Sequence, residues 1–136
     1  MADDSVAPGS SPANIPVSQT LSWQPALDIY RAAAARSDSF RAERLRPAYT
    51  NRKLSFGKVS AIETEADRLW EVQLDRLYDL IAVPAPDWRA LCAKLEYAYK
   101  DYLIFELSSR EVVDKLLADM RRLDLLYASI LLTEAP

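Results

Sequence analysis

No histidine occurs in this 136-residue chain, which has one cysteine and two glycines. It also has no apolar run approaching the length of a membrane span. Each absence excludes a class of function. Without histidine there is no imidazole base, no Cys–His or Ser–His nucleophile pair, and no carboxylate–histidine metal bundle. Two glycines leave no glycine-rich loop to cradle a phosphate. The single Cys92 allows no internal disulfide, which fits a reducing compartment. The opening Met-Ala-Asp-Asp is acidic where a secretory signal would be basic. These features predict a soluble cytoplasmic protein that is not an enzyme and takes no cofactor.

What is present is helical. Half of the residues are apolar, and β-branched runs are few. The expectation is an all-α helical bundle built on an antiparallel helical hairpin, with one domain over 22–136. Residues 1–21, rich in Ala, Ser, Pro and Asp, bury too little apolar surface to offset their ordering entropy and read as a disordered tail. Helices are predicted near 23–46, 60–82, 87–106 and 109–132. Ser22 and Pro25 suit the first turn of the first helix, Ser37-Asp38-Ser39 is a candidate interruption, and Pro47 is expected to stop it. Residues 47–58 then read as a basic linker. Ser60 and Glu63 are spaced as a capping box for the second helix. Pro84-Ala85-Pro86 ends that helix and Asp87 caps the next. Ser108 and Glu111 form a further capping box, with Leu107 and Val112 spaced as a hydrophobic staple. The stretch 87–131 is either one long helix with a stutter or two helices broken near 107–109.

Helical periodicity assigns the core faces. On the second helix, Val59, Ile62, Ala66, Leu69, Trp70, Gln73, Leu77, Leu80 and Ile81 share one side. On the third, Trp88, Leu95 and Tyr102 recur at heptad spacing beside Leu91, Ala98 and Phe105, widened by Cys92 and Tyr99. The last carries Val113, Leu116, Met120, Leu123, Tyr127 and Ile130. Gln73 lies at the centre of its apolar stripe and needs a partner, either a neighbouring backbone group or tyrosine hydroxyl, or a register-fixing contact between helices. Cys92, among apolar helical neighbours, reads as a buried, inert thiol. Glu63, Asp67, Glu71, Asp75 and Asp79 recur every four residues, which reads as a solvated acidic face.

Two surfaces are candidates for binding. Tyr97, Ile104 and Leu107, with Leu125, Ala128 and Leu132, spread apolar surface beyond the core stripes. Either a protein partner or the first helix covers them. A second copy of the chain, packed through the second to fourth helices, is one such partner; a monomer with the first helix lying across is the rival. The other candidate is electrostatic. Arg31 to Lys58 holds eight basic and two acidic residues, while Val59 to Pro136 holds nine basic and fifteen acidic. Arg41, Arg44, Arg46, Arg52 and Lys53 are therefore candidate nucleic-acid contacts, although no aromatic ladder accompanies them. The basic segment could equally lie against the chain's own acidic helices or those of another subunit.

The order Trp23…Tyr30-Arg31-Ala32-Ala33…Phe40…Pro47-Ala48, then Glu65-Ala66-Asp67-Arg68-Leu69, Pro84-Ala85-Pro86-Asp87…Ala90-Leu91…Lys94-Leu95-Glu96 and Ala118-Asp119…Arg122-Leu123 resembles a group of small proteins of sphingomonads and related alphaproteobacteria. They are often encoded in prophage-like or mobile regions. The resemblance spans about residues 22–124, is most specific over the Pro84–Glu96 segment, and lapses between Tyr97 and Ser109. It implies a helical fold, a bacterial cytoplasm and no particular activity. Taken with the missing catalytic groups, it makes the expected role a protein–protein interaction factor of a mobile element, with nucleic-acid association as the alternative.

Overall fold

The computed structural model describes residues 22–101 and 109–134. The candidate tail at 1–21, the Leu107 half of the staple, the Ser108 cap and the apolar residues Tyr102, Ile104 and Phe105 lie outside the described residues. The order is α1 (Trp23–Phe40), a π-helical turn (Arg41–Leu45), α2 (Arg46–Thr50), α3 (Phe56–Ala82), α4 (Trp88–Lys100) and α5 (Ser109–Glu134). The architecture is all-α, with no strand among the described residues.

The first helix does not stop where its proline stands. Pro47 has no N–H to give to the carbonyl of Glu43, and its ring would press on that carbonyl in a regular α-helix. The backbone widens instead, and the Arg46 N–H reaches back five residues to the Arg41 carbonyl. One wide turn accommodates the ring, so the rod continues to Thr50. The linker expected over 47–58 therefore shrinks to the turn around Asn51–Ser55, where Asn51 accepts from the Lys53 and Leu54 amides. Ser37-Asp38-Ser39 does not interrupt the helix, and Ser37 is buried.

The capping box expected at Ser60 and Glu63 does not form. The Ser55 hydroxyl accepts from the Lys58 amide and starts α3 one turn earlier, at Phe56. Thr64 bonds back to the Ser60 carbonyl inside the helix, while Glu63 accepts from Tyr49 across to α2. Of the nine residues that periodicity assigns to the inward stripe of α3, Ala66, Leu69, Gln73, Leu77, Leu80 and Ile81 are buried, and Val59, Ile62 and Trp70 are half-buried. Val83, with an extended backbone, and the prolines end the helix, and the Asp87 carboxylate caps α4 by accepting from the Ala90 amide at 2.8 Å.

Helices α1 and α3 run antiparallel: Tyr49 meets Glu63 at one end, and Tyr30 and Gln73 share a partner nearer the other. Helices α3 and α4 form the predicted hairpin, since Ile81 is joined to Lys94 and Gln73 to Asp101. Helix α5 returns along α4. Lys94 and Asp119 touch at 2.5 Å, whereas on one continuous helix they would stand about 38 Å apart. The region from 87 to 131 is thus two helices, with α4 ending at Lys100.

On the last two helices the buried stripe is rotated from the expected one. In α4 the inward residues are Ala90, Leu91, Lys94 and Ala98. Trp88 and Leu95 are both 45% exposed, and Tyr99 is exposed. Cys92 is exposed as well, which corrects its reading as a buried thiol. In α5 the buried set is Val112, Leu116, Asp119 and Leu123, leaving Val113, Met120, Tyr127 and Ile130 exposed. The cause lies in the connection after α3, where polar groups at the helix end require Lys94 and Asp119 to face inward. One core cluster draws on all four long helices, from Leu27 and Tyr30 to Leu80, Leu91, Val112 and Leu123.

Candidate interaction surface

Two buried polar nodes hold the bundle. In the first, Lys94 is wholly enclosed, at 0% exposure. Its Nζ donates to the Ile81 carbonyl at 2.9 Å, to the Val83 carbonyl, and to Asp119 Oδ2 at 2.5 Å. Those carbonyls belong to the last turn of α3 and the residue after it, where the intrahelical ladder has run out of donors. Asp119 Oδ1 accepts from the Ala85 amide, and Arg122 donates to the Ala85 carbonyl and to Asp119. The clasp thereby satisfies the backbone of the Pro84–Pro86 turn. Burial pulls the Lys94 pKa down, opposed by the hydrogen bond and charge of Asp119. All three ammonium protons are engaged, so Lys94 has no free donor and cannot act as a nucleophile in this state.

The second node is Asp101, at the end of α4. Its Oδ2 accepts from the Tyr30 hydroxyl at 2.7 Å and from Gln73 Nε2 at 2.9 Å. Gln73 thus has a partner, the Asp101 carboxylate at the end of α4, reached across from α3. Gln73 Oε1 is buried without one. Burial first, and then the Asp101 hydrogen bond, push the Tyr30 phenol well above its ordinary pKa. Both nodes join three elements, and the residues needed were all legible as types. Lys94 falls between Ala90 and Ala98 on the wheel, a signal that solvent is not its neighbour. The default assignment of lysine and aspartate to the surface hides it.

Among the described residues, the candidate partner residues do not converge. Tyr97 is half-buried against α1: its ring lies 4.7 Å from that of Tyr30, and its hydroxyl accepts from Arg31 Nε at 3.1 Å. It belongs to the fold's own packing. Ile104 and Leu107 lie outside the described residues. Leu125 and Leu132 are 73% and 78% exposed on the distal half of α5. From Asp124 through Thr133 every residue of that helix is exposed, including Leu126, Tyr127, Ile130 and Leu131. A second apolar region lies nearer the body, where Trp88, Leu117 and Met120 line a cavity of about 300 Å³ rimmed by Arg121 and Asp124.

The basic candidates are placed differently. The Arg41 guanidinium stands 5.7 Å from the Trp70 ring centroid, and that of Arg44 lies 5.7 Å from the Phe40 ring centroid. Arg46, Arg52 and Lys53 are exposed. The neighbouring groove of about 360 Å³ is lined by Arg41, Tyr49 and Ser60 but also by Glu63 and Asp67. Two carboxylates in that wall oppose a phosphate. The Glu63 hydrogen bond holds the Tyr49 hydroxyl above its usual pKa. Among the described residues, no three acidic or cysteine side chains converge to hold a metal ion. No described helix is long and apolar enough to cross a membrane. No family model, curated protein or solved structure matches the chain.

Proposed function

We propose that this chain is a non-enzymatic protein-interaction factor that binds a protein partner through the distal half of α5. The observation that carries the reading is the uncovered run from Asp124 to Thr133, which holds Leu125, Leu126, Tyr127, Ile130, Leu131 and Leu132 in the open. Exposed leucines scattered singly mean little, but a contiguous set on one helix end is the kind of surface that marks association. The body supports the same reading by anchoring the first half of α5 through the buried Val112, Leu116, Asp119 and Leu123. The setting, an accessory factor of a prophage or other mobile element in a bacterial cytoplasm, is what the resemblance to the sphingomonad group implies. Nucleic-acid association through Arg41, Arg44, Arg46, Arg52 and Lys53 has less support, because two of these arginines lie over aromatic rings and carboxylates line the adjoining groove.

Affinity purification from the native host tests this with wild type and a Leu125→Asp/Leu132→Asp variant. Circular dichroism serves as the fold control. Both side chains are largely in solvent, so the variant should fold normally. The expected result is a stoichiometric protein partner recovered by wild type and lost from the variant. Equal recovery by both proteins overturns the reading, as does reproducible turnover by the purified chain with no partner found.

A further inference from the structure

The outer side of α5 carries a second pattern, distinct from the Leu125–Leu132 edge. Val113, Leu117, Met120, Asp124, Tyr127 and Leu131 recur at alternating intervals of four and three, the seam of a coiled coil. All six are exposed, and the seam lies one residue round the helix, about 100°, from the buried stripe at Val112, Leu116, Asp119 and Leu123. Arg121 flanks the seam beside Asp124. Neither forms an ion pair with another described residue, although Arg122 and Lys115 on the same helix do.

We propose that a second copy of this chain covers this seam, its α5 antiparallel to the first about a two-fold axis level with Arg122. The proposal rests on the reading of α5 as a protein-binding helix and names one of its partners. Charge decides the direction. A parallel, in-register pair would set Asp124 against Asp124 in the middle of the seam, two like charges in a desolvated contact. Turning one helix round replaces that clash with attraction, because Asp124 of each copy then meets Arg121 of the other, twice across the axis. Burial decides the register. With the axis at this level, Val113 faces Leu131 and Leu117 faces Tyr127, each pair symmetric about position 122. Sliding by one heptad toward the helix start would pair Arg121 with Asp114 instead, and would leave Tyr127 and Leu131 bare. The full overlap covers Tyr127 and Leu131 on the distal half of α5, both exposed in the single chain. It also lays the incoming helix along the cavity of about 300 Å³ walled by Trp88, Leu117 and Met120. A single polar position inside an otherwise apolar seam is a known device for fixing register and orientation. Leu125 and Leu132 point away from this seam and remain available to a different protein.

Light scattering after size exclusion, at tens to hundreds of micromolar, reads the mass against the 15.4 kDa monomer. Twice that mass is expected for wild type. Arg121→Glu should raise the dissociation constant at least about tenfold, since it sets two carboxylates against each other. Asp124→Arg should do the same. The double variant Arg121→Glu/Asp124→Arg restores the pair with its signs exchanged and should recover the dimer. Both positions are exposed, and circular dichroism checks that each variant is folded. A monomeric wild type at every concentration overturns the proposal, as does a dimer indifferent to Arg121→Glu. Rescue of Arg121→Glu by Asp114→Arg, rather than by Asp124→Arg, overturns the register. Leu125→Asp/Leu132→Asp should leave the dimer intact, so loss of the hetero-partner and loss of the dimer are separate results.

Discussion

Replacing Lys94 by methionine removes one ammonium and keeps most of the stem that packs around it. Three acceptors then lose their donor: the Ile81 and Val83 carbonyls and Asp119 Oδ2. Stranding one member of a buried ion pair costs about 3–5 kcal/mol. Asp119 is not left bare, since Arg122 and the Ala85 amide each stand 3.3 Å from its other oxygen, which favours the lower end of that range. A loss of about 3 kcal/mol corresponds to a fall of roughly 12 °C in Tm at about 4 °C per kcal/mol. Urea denaturation followed by circular dichroism and tryptophan fluorescence measures it. A second variant separates the stranded charge from lost packing. In Lys94→Met/Asp119→Asn the side chain at 119 is neutral, its oxygen can still accept from Ala85, and its new NH₂ points toward the orphaned carbonyls. The double variant should recover at least about 1 kcal/mol relative to Lys94→Met. A single-variant loss below about 1 kcal/mol, or a double variant no more stable than the single, would refute the assignment of this clasp as the lock of the turn.

Three further outcomes follow from individual side chains. Tyr30 has a folded pKa raised above its unfolded value, so the stability it contributes is complete below about pH 10 and is lost as pH rises beyond that. Denaturation midpoints taken from pH 8 to 11 should show Tyr30→Phe with a shallower alkaline decline than wild type, by up to about 1.4 kcal/mol per pH unit; an unchanged slope would contradict it. The depressed Lys94 pKa acts in the opposite sense over the alkaline window below its ordinary value, and it is common to both proteins. Ser37 has a buried hydroxyl with no partner in mid-helix, so Ser37→Ala should raise stability by about 1 kcal/mol in urea melts, and a loss of that size would mean the hydroxyl has a partner after all. Cys92 is exposed, so a thiol reagent should titrate it in the native protein, and Cys92→Ser should shift stability by less than about 0.5 kcal/mol; protection until unfolding would place it inside.

Several features of the fold follow from sequence alone, because their causes are local. Helical spacing in α3 marks nine residues as inward; Ala66, Leu69, Gln73, Leu77, Leu80 and Ile81 are buried, while Val59, Ile62 and Trp70 are only half-buried. Pro84-Ala85-Pro86 ends one helix and Asp87 caps the next, both for local reasons. The need of Gln73 for a partner is equally local, since any amide buried among leucines incurs that cost. The same reasoning fails at Pro47, where an alternative backbone pitch was available, and at Ser60, where Ser55 offered an earlier cap.

What only the tertiary structure decided is which of two adjacent apolar stripes on α4 and α5 turns inward. Trp88 and Leu95 compete with Leu91 and Ala98 on α4, and Val113 and Met120 compete with Val112 and Leu123 on α5. Helical periodicity carries no information about the neighbour, so it cannot choose between faces that are both apolar. The choice falls to Lys94 and Asp119, which meet across 25 residues to satisfy backbone groups at the end of α3. That non-local pairing rotates both helices, covers one stripe of each and leaves the other in the open as the surface proposed here for partners. The sequence determines that these helices exist and that the Pro84–Pro86 turn separates two of them; the polar groups at one helix end decide which way they face.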